Sequence, residues 1–182
     1  MNVIASKGQL RASFMRWALF TVPLLVLLGY LGGQAGSPDT FWFRSLVKPE
    51  VFPPPAVFGI VWTILYIMIG LALAMVASAW GASGRGVALV LFAIQLALNL
   101  SWTYAFFGMQ SIQNGLIVIG SLSVVLIATV IAFWRVRRAA ALLMLPYLAW
   151  VLFATFLNYE FLRANPDGGM QERPAETQRI EL

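Results

Sequence analysis

The chain contains no cysteine and no histidine. The first absence excludes disulfides, thiol chemistry and thiolate metal sites. The second removes the usual imidazole ligand of haem, and the side chain that most often acts as a general base near neutral pH. Charge is scarce as well: Asp, Glu, Lys and Arg make up 10% of the residues, against about 25% in a soluble domain. In their place stands apolar sequence, 60% of 182 residues, gathered into uncharged runs of about 20 residues. That length crosses roughly 30 Å of hydrocarbon. The net charge of +5 does not point to nucleic acid, because the basic residues cluster at the ends of the apolar runs, where they encode membrane topology.

These runs predict an all-α membrane protein, a bundle of five transmembrane helices at about 17–33, 55–80, 87–108, 112–134 and 139–162. A basic N-terminal extension, 1–16, precedes them, and a polar tail rich in Gly and Pro, 163–182, follows and is expected to be disordered. The first segment, with its positive residues, apolar stretch and GGQAGS, also fits a signal peptide. No internal repeat is visible, which weighs against an inverted-repeat transporter. Five spans place Lys7, Arg11, Arg16, Arg85, Arg135, Arg137 and Arg138 on one side. The positive-inside rule then puts the N-terminus in the cytoplasm and the 34–54 loop outside, in a membrane of the bacterial inner, cytoplasmic type.

Polar and bulky aromatic residues at helical spacing are the informative ones in a bilayer. Phe58, Trp62 and Tyr66 recur every four residues on the second span; Gln95, Asn99, Trp102 and Phe106 share one face of the third; Tyr147, Trp150, Ala154 and Asn158 share one face of the fifth. Such stripes suit either interhelical glue or a cavity for a flat, largely apolar ligand, with rings supplying stacking area and amides fixing orientation. Trp17, Trp80 and Trp134 read as interfacial belts. Opposite the amide stripe of the third span, Ala93, Ala97 and Ser101 form a small-residue face for close helix packing, either within one subunit or in a dimer. Before the second span, Pro53, Pro54 and Pro55 make a stiff collar. It either simply starts the helix or holds Trp42, Phe43 and Phe52 over the helix mouth as a lid.

Three stretches carry a resemblance: WFRSLVKPEVFPPPAVFGIVWTILYIMIG (42–70), QLALNLSWTYAFFGM (95–109) and PYLAWVLFATFLNYEFLRAN (146–165). Together they resemble the translocator protein, or tryptophan-rich sensory protein, family, once called the peripheral benzodiazepine receptor. The resemblance implies a five-helix bundle, usually a homodimer, with a pocket under the first loop. It implies binding of tetrapyrroles such as protoporphyrin IX and haem, and in some members of sterols and sterol-like lipids or of benzodiazepine-type drugs. Carried over, the pocket would use Phe58, Trp62, Asn99, Trp102, Phe106, Trp150, Ala154 and Asn158. Leu157, Tyr159 and Arg163 also fit a loose sterol-recognition pattern. The chain departs from the family where Glu50, Val51 and Ala56 replace customary loop aromatics.

The expected function is therefore a membrane sensor or carrier whose ligand is a porphyrin or haem, with no obligatory cofactor and no catalytic or metal-binding residue. Without histidine, a free-base porphyrin is favoured over haem. One alternative is a light- and oxygen-dependent porphyrin-degrading enzyme, although paired carboxylates and a nucleophile with a base are lacking. The other is a structural or assembly subunit of a larger membrane complex.

Overall fold

The computed structural model describes residues 6–168. It contains α1 (Lys7–Gly33), a short α2 (Phe41–Ser45), α3 (Pro55–Ala77), α4 (Arg85–Thr103), α5 (Ile112–Val136) and α6 (Arg138–Ala164). Among the described residues there is no strand, and five helices are long and apolar enough to cross a membrane. The all-α, five-span architecture read from hydropathy is the one found.

Local chemistry sets the boundaries. Ser6 and Gln9 form a reciprocal capping box, with Ser6 N–H donating to Gln9 Oε1 at 2.8 Å and Gln9 N–H donating to Ser6 Oγ at 3.2 Å. That box starts α1 ten residues before Trp17, so residues 7–16 of the expected basic extension are helix. Hydropathy marks where lipid contact begins; capping marks where the helix begins. Pro55 opens α3 at its first position, where its missing N–H costs nothing. Gly84 precedes α4 at φ 77°, a left-handed conformation suited to glycine. At its far end α4 widens into a π-turn, Tyr104–Gly108, in which Met109 N–H donates to Tyr104 O at 2.8 Å.

α1 lies along α3, α3 along α6, α6 along α5 and α5 along α4. Contact between α4 and either α1 or α3 is much slighter, so the ring of five helices has one loose seam. The first segment, whose composition also fits a signal peptide, is built into this ring. Gly70 on α3 lets α1 approach closely: a Cβ there would lie 2.8 Å from Val22 Cα. The Thr21 hydroxyl meets the Gly70 carbonyl across the same contact at 2.8 Å. A central core of Leu25, Ile69, Leu122, Leu126, Met144 and Val151 fills the bundle. Phe92 and Phe133 stack in it at 5.9 Å.

The expected tail begins differently from its composition. α6 continues through Ala164, and residues 165–168 are tied to the loop between α1 and α3. The disorder expected of 169–182 lies outside the described residues.

Candidate functional site

The loop after α1 is held down by hydrogen bonds at both ends of a short aromatic helix. The Thr40 hydroxyl caps α2 by accepting from Phe43 N–H at 3.2 Å, which turns Trp42 and Phe43 inward, both buried. Trp42 Nε1 donates to the Gly168 carbonyl at 3.0 Å. Asn165, buried at the end of α6, clamps Val47 from both sides: its Oδ1 accepts from Val47 N–H at 2.9 Å, and its Nδ2 donates to Val47 O at 3.0 Å. The loop is thus paired much as a strand would be, by one side-chain amide.

Rings then interlock between loop and helices. Trp42 meets Phe106 at 5.6 Å, Phe43 meets Phe107 at 5.1 Å, and Phe52 meets both Phe58 and Phe161 at 5.5 Å. Most of these contacts are tilted or edge-to-face, the arrangements ring quadrupoles favour. The collar sets the last of them, because the Phe52 N–H to Pro49 O turn and the prolines after it fix where Phe52 sits.

Beneath this lid lies a cavity of about 410 Å³, with Phe58 and Trp62 from α3, Trp102 and Thr103 from α4, Phe106 and Phe107 from the π-turn, and Ala154, Leu157, Asn158 and Phe161 from α6. Asp39, Arg44 and Lys48 stand at its loop side. Arg44 reaches Asp39 at 3.5 Å in an exposed pair, and Lys48 Nζ lies 5.1 Å from the Phe43 ring centre. A second hollow, about 380 Å³, opens at the loose seam among α1, α3 and α4, and Tyr66, Asn99 and Gly29 line it. The two hollows meet at Phe58, Trp62, Trp102 and Thr103, which line both.

The three stripes therefore converge on one region but do different work there. Phe58, Trp62, Trp102, Phe106, Ala154 and Asn158 line the loop cavity, whereas Tyr66 and Asn99 line the seam. Tyr147 and Trp150 line neither. Tyr147 is wholly buried and bonds to Asn99 and Gln95. Trp150 packs edge-on against Phe58 at 5.7 Å, and its buried N–H has no partner among the described residues. Asn158 joins two helices to its own: Trp102 Nε1 donates to its Oδ1 at 3.3 Å, and its Nδ2 donates to Ile112 O at 3.0 Å. Pocket wall and interhelical glue, read as alternatives from spacing, are combined in these side chains.

Elsewhere the outcomes divide. Ala93, Ala97 and Ser101 are all exposed, so this face is not used for packing within one subunit. Leu157 is buried in the lid cluster while Tyr159 and Arg163 face outward, so the three residues of the sterol pattern do not form one surface. Arg85 lies over the Trp80 ring at 4.3 Å and Arg138 over Trp134 at 5.6 Å, both at the end where α1 starts, as interfacial belts would. Glu50, Val51 and Ala56 are exposed and line neither hollow.

Phe107 was invisible to spacing, because ideal helical geometry puts it about 100° from Phe106. The π-turn brings both rings to the cavity, 4.8 Å apart. Phe161 follows Asn158 and Ala154 at helical spacing, so extending the α6 stripe by one step would have found it.

The comparisons agree with this architecture. The TspO/MBR family model matches residues 20–163. The chain is 45% identical over 158 residues to a "Tryptophan-rich protein TspO" of Chlorobaculum tepidum, covering 84% of this chain and all of that protein. It is 39% identical to the "Tryptophan-rich sensory protein" of Cereibacter sphaeroides over 83% of this chain and 94% of the relative. Against the human "Translocator protein" the identity is 38%, over 68% of this chain and 75% of that one. With five apolar spans, a lidded aromatic hollow between them and similarity running through both, this chain is an integral membrane protein of the TspO/MBR family.

Proposed function

We propose that the chain binds a flat, largely apolar tetrapyrrole in the cavity under the first loop, and that it senses or carries that ligand in the membrane. The observation that carries this reading is the cavity's make-up: rings of Phe58, Trp62, Trp102, Phe106 and Phe107 on its walls, with Arg44 and Lys48 at its loop side. Rings give a macrocycle stacking area. The two cations meet carboxylates near the mouth, where screening is incomplete. The relatives' names, sensory protein and translocator protein, agree with sensing or carrying. In this reading no protein group ligates a metal, and the free-base porphyrin is the preferred form. The N-terminus faces the cytoplasm, with Arg85 and Arg138 anchoring that side over Trp80 and Trp134 in an inner-type membrane.

The ligand's acidic edge supplies the test. Protoporphyrin IX as its free diacid is expected to bind about tenfold tighter than its dimethyl ester, a difference of one charge-assisted contact. Arg44→Ala with Lys48→Ala should level the two affinities, read by tryptophan quenching. Equal affinities in the unaltered protein would remove the placement of the carboxylates at the loop.

The same reading includes a homodimer. The exposed small face of α4, Ala93, Ala97 and Ser101, lets a second copy's helix approach closely. Because the chain has no cysteine, Ala97→Cys provides a single thiol. Oxidation in membranes should give a disulfide-linked dimer, and Val124→Cys, exposed on α5, should not. A dimer formed equally from both, or from neither, contradicts the pairing.

A further inference from the structure

At the end of the bundle opposite the loop cavity, a hollow of about 310 Å³ lies where α1 and α6 begin and α3 ends. α1 contributes Leu10, Arg11 and Phe14 to it, α3 contributes Met75 with Ser78 just beyond, and the α5–α6 turn contributes Arg137 and Ala139. α1 and α6 each lie along α3, so the hollow fills the wedge between their ends. Its rim, with Arg11 and Arg137, is exposed, whereas Ser78 at its floor is buried. Ser78 Oγ donates to Met75 O at 3.2 Å, longer than an ordinary O–H···O bond, so its proton is free to turn to a better acceptor.

The charges at this end are unbalanced. Among the described residues the carboxylates are Asp39, Glu50, Glu160 and Asp167, all toward the loop end. No described side chain therefore neutralises the basic residues grouped around the hollow. Two of these are engaged elsewhere. Arg85 lies over Trp80 and donates to the Ala77 carbonyl at 2.8 Å, covering the negative end of α3, and Arg138 lies over Trp134. Arg11 and Arg137 make no hydrogen bond or ion pair among the described residues, where the ion pairs are those of Arg44 and Arg163. Arg137 also occupies the N-cap of α6, which has no side-chain cap bond and no acidic residue in its first turn. A cation at the positive end of a helix dipole is unfavourable, and an anion held beside it reverses the sign.

We propose that this hollow binds one anionic phospholipid, seating its phosphodiester between Arg11 and Arg137. The two guanidinium groups donate to phosphate oxygens, Ser78 O–H supplies a donor at the floor, and the start of α6 adds the attraction of its dipole. Two features favour a lipid over a free phosphate ion. Leu10, Phe14 and Met75 line the same hollow and offer an acyl chain apolar contact that an inorganic ion does not use. Trp80 and Trp134 beneath their arginines mark this end as the membrane interface, where headgroup phosphates lie. The missing carboxylates decide the headgroup's charge. A choline or ethanolamine ammonium finds no acidic partner here, so a net-negative headgroup is preferred to a zwitterionic one. From Phe58 to Met75 along α3 the hollow stands about 25 Å from the loop cavity, and it is independent of the tetrapyrrole reading.

The test titrates the purified full chain, stripped of lipid in detergent, with dioleoyl phosphatidylglycerol or dioleoyl phosphatidylcholine, and native mass spectrometry counts the bound lipid. The unaltered protein is expected to take its first phosphatidylglycerol about tenfold more tightly than phosphatidylcholine, the scale of one or two basic residues meeting an anionic lipid. Arg11→Ala with Arg137→Ala should bring the two affinities within about twofold. Arg16→Ala with Arg135→Ala removes the same charge from exposed positions outside the hollow, and should leave the preference in place. All four side chains are exposed, so both double variants should keep the lipid-free thermal midpoint. Phosphatidylglycerol should raise that midpoint in the unaltered protein, and millimolar inorganic phosphate, matched in ionic strength by chloride, should not. Equal affinities for the two lipids in the unaltered protein overturn the proposal. So does a preference lost equally in both double variants, which would mean general attraction to a basic surface. A midpoint raised as much by phosphate as by lipid, and only with Arg11 and Arg137 present, would assign the hollow to a free anion and overturn the choice of lipid. None of these outcomes depends on whether protoporphyrin binds.

Discussion

Replacing Trp62 and Trp102 together by alanine is expected to weaken protoporphyrin IX binding by about thirtyfold. Each ring on a cavity wall contributes about 0.5–1.5 kcal/mol of stacking to a flat ligand, and about 1.4 kcal/mol is a factor of ten in affinity. Both tryptophans line the loop cavity and the seam, so no alternative placement of the macrocycle between α3 and α4 escapes the loss. The rings come from different helices, hence the single changes should be smaller and nearly additive. Trp80→Ala, whose ring is 68% exposed at the opposite end of the bundle, should leave the affinity unchanged. A titration in which Trp80→Ala weakens binding as much as the double variant would place the ligand on the outer surface.

The second large effect is on stability. Asn158→Leu should lower the unfolding free energy by about 2–4 kcal/mol, measured by thermal or denaturant unfolding in detergent. Asn158 is 2% exposed, and its amide is shared between the Trp102 indole of α4 and the Ile112 carbonyl at the start of α5. Leucine fills a similar volume but strands both groups, and each unsatisfied buried group costs about 1–3 kcal/mol. Interhelical bonds in membranes average nearer 0.6 kcal/mol, because partners are also found in the unfolded state, and that sets the lower end of the range. Gln113→Leu, at an exposed position on the same end of α5, should change stability by less than about 0.5 kcal/mol. A loss at Asn158 no larger than that would mean the amide is not the tie between α4, α5 and α6.

How far the sequence disclosed this molecule depends on which physical signal each feature leaves. Span number survived because hydrocarbon thickness fixes the length of an apolar run. The start of α1 did not, because Ser6 and Gln9 act through hydrogen bonds that hydropathy ignores. Spacing found the stripes of α3, α4 and α6, since 3.6-residue periodicity decides which side chains share a face. It could not separate Tyr147, sealed in the core, from Ala154, open to the cavity, because both sit on the same stripe of α6 and only the neighbouring helices distinguish them. Phe107 escaped because a π-turn changes the phase locally, and composition leaves no mark of one. The clamp from Asn165 to Val47 joins residues 118 apart in sequence, and nothing short of the folded chain pairs them. Trp150 shares the α6 stripe yet lines neither hollow and packs against Phe58, whereas Trp102 lines both hollows with Trp62.

The absence of native cysteine allows the most direct measurement. Ala154 lines the loop cavity, opposite the rings of α3 and α4, so Ala154→Cys puts the protein's single thiol at the proposed binding surface. Its alkylation by a small maleimide is then timed with and without saturating protoporphyrin IX. A macrocycle seated under the loop should slow the reaction at Ala154→Cys at least about tenfold, and leave the rate at exposed Glu50→Cys, outside both hollows, unchanged. An Ala154→Cys thiol labelled equally fast with the porphyrin bound would contradict that placement.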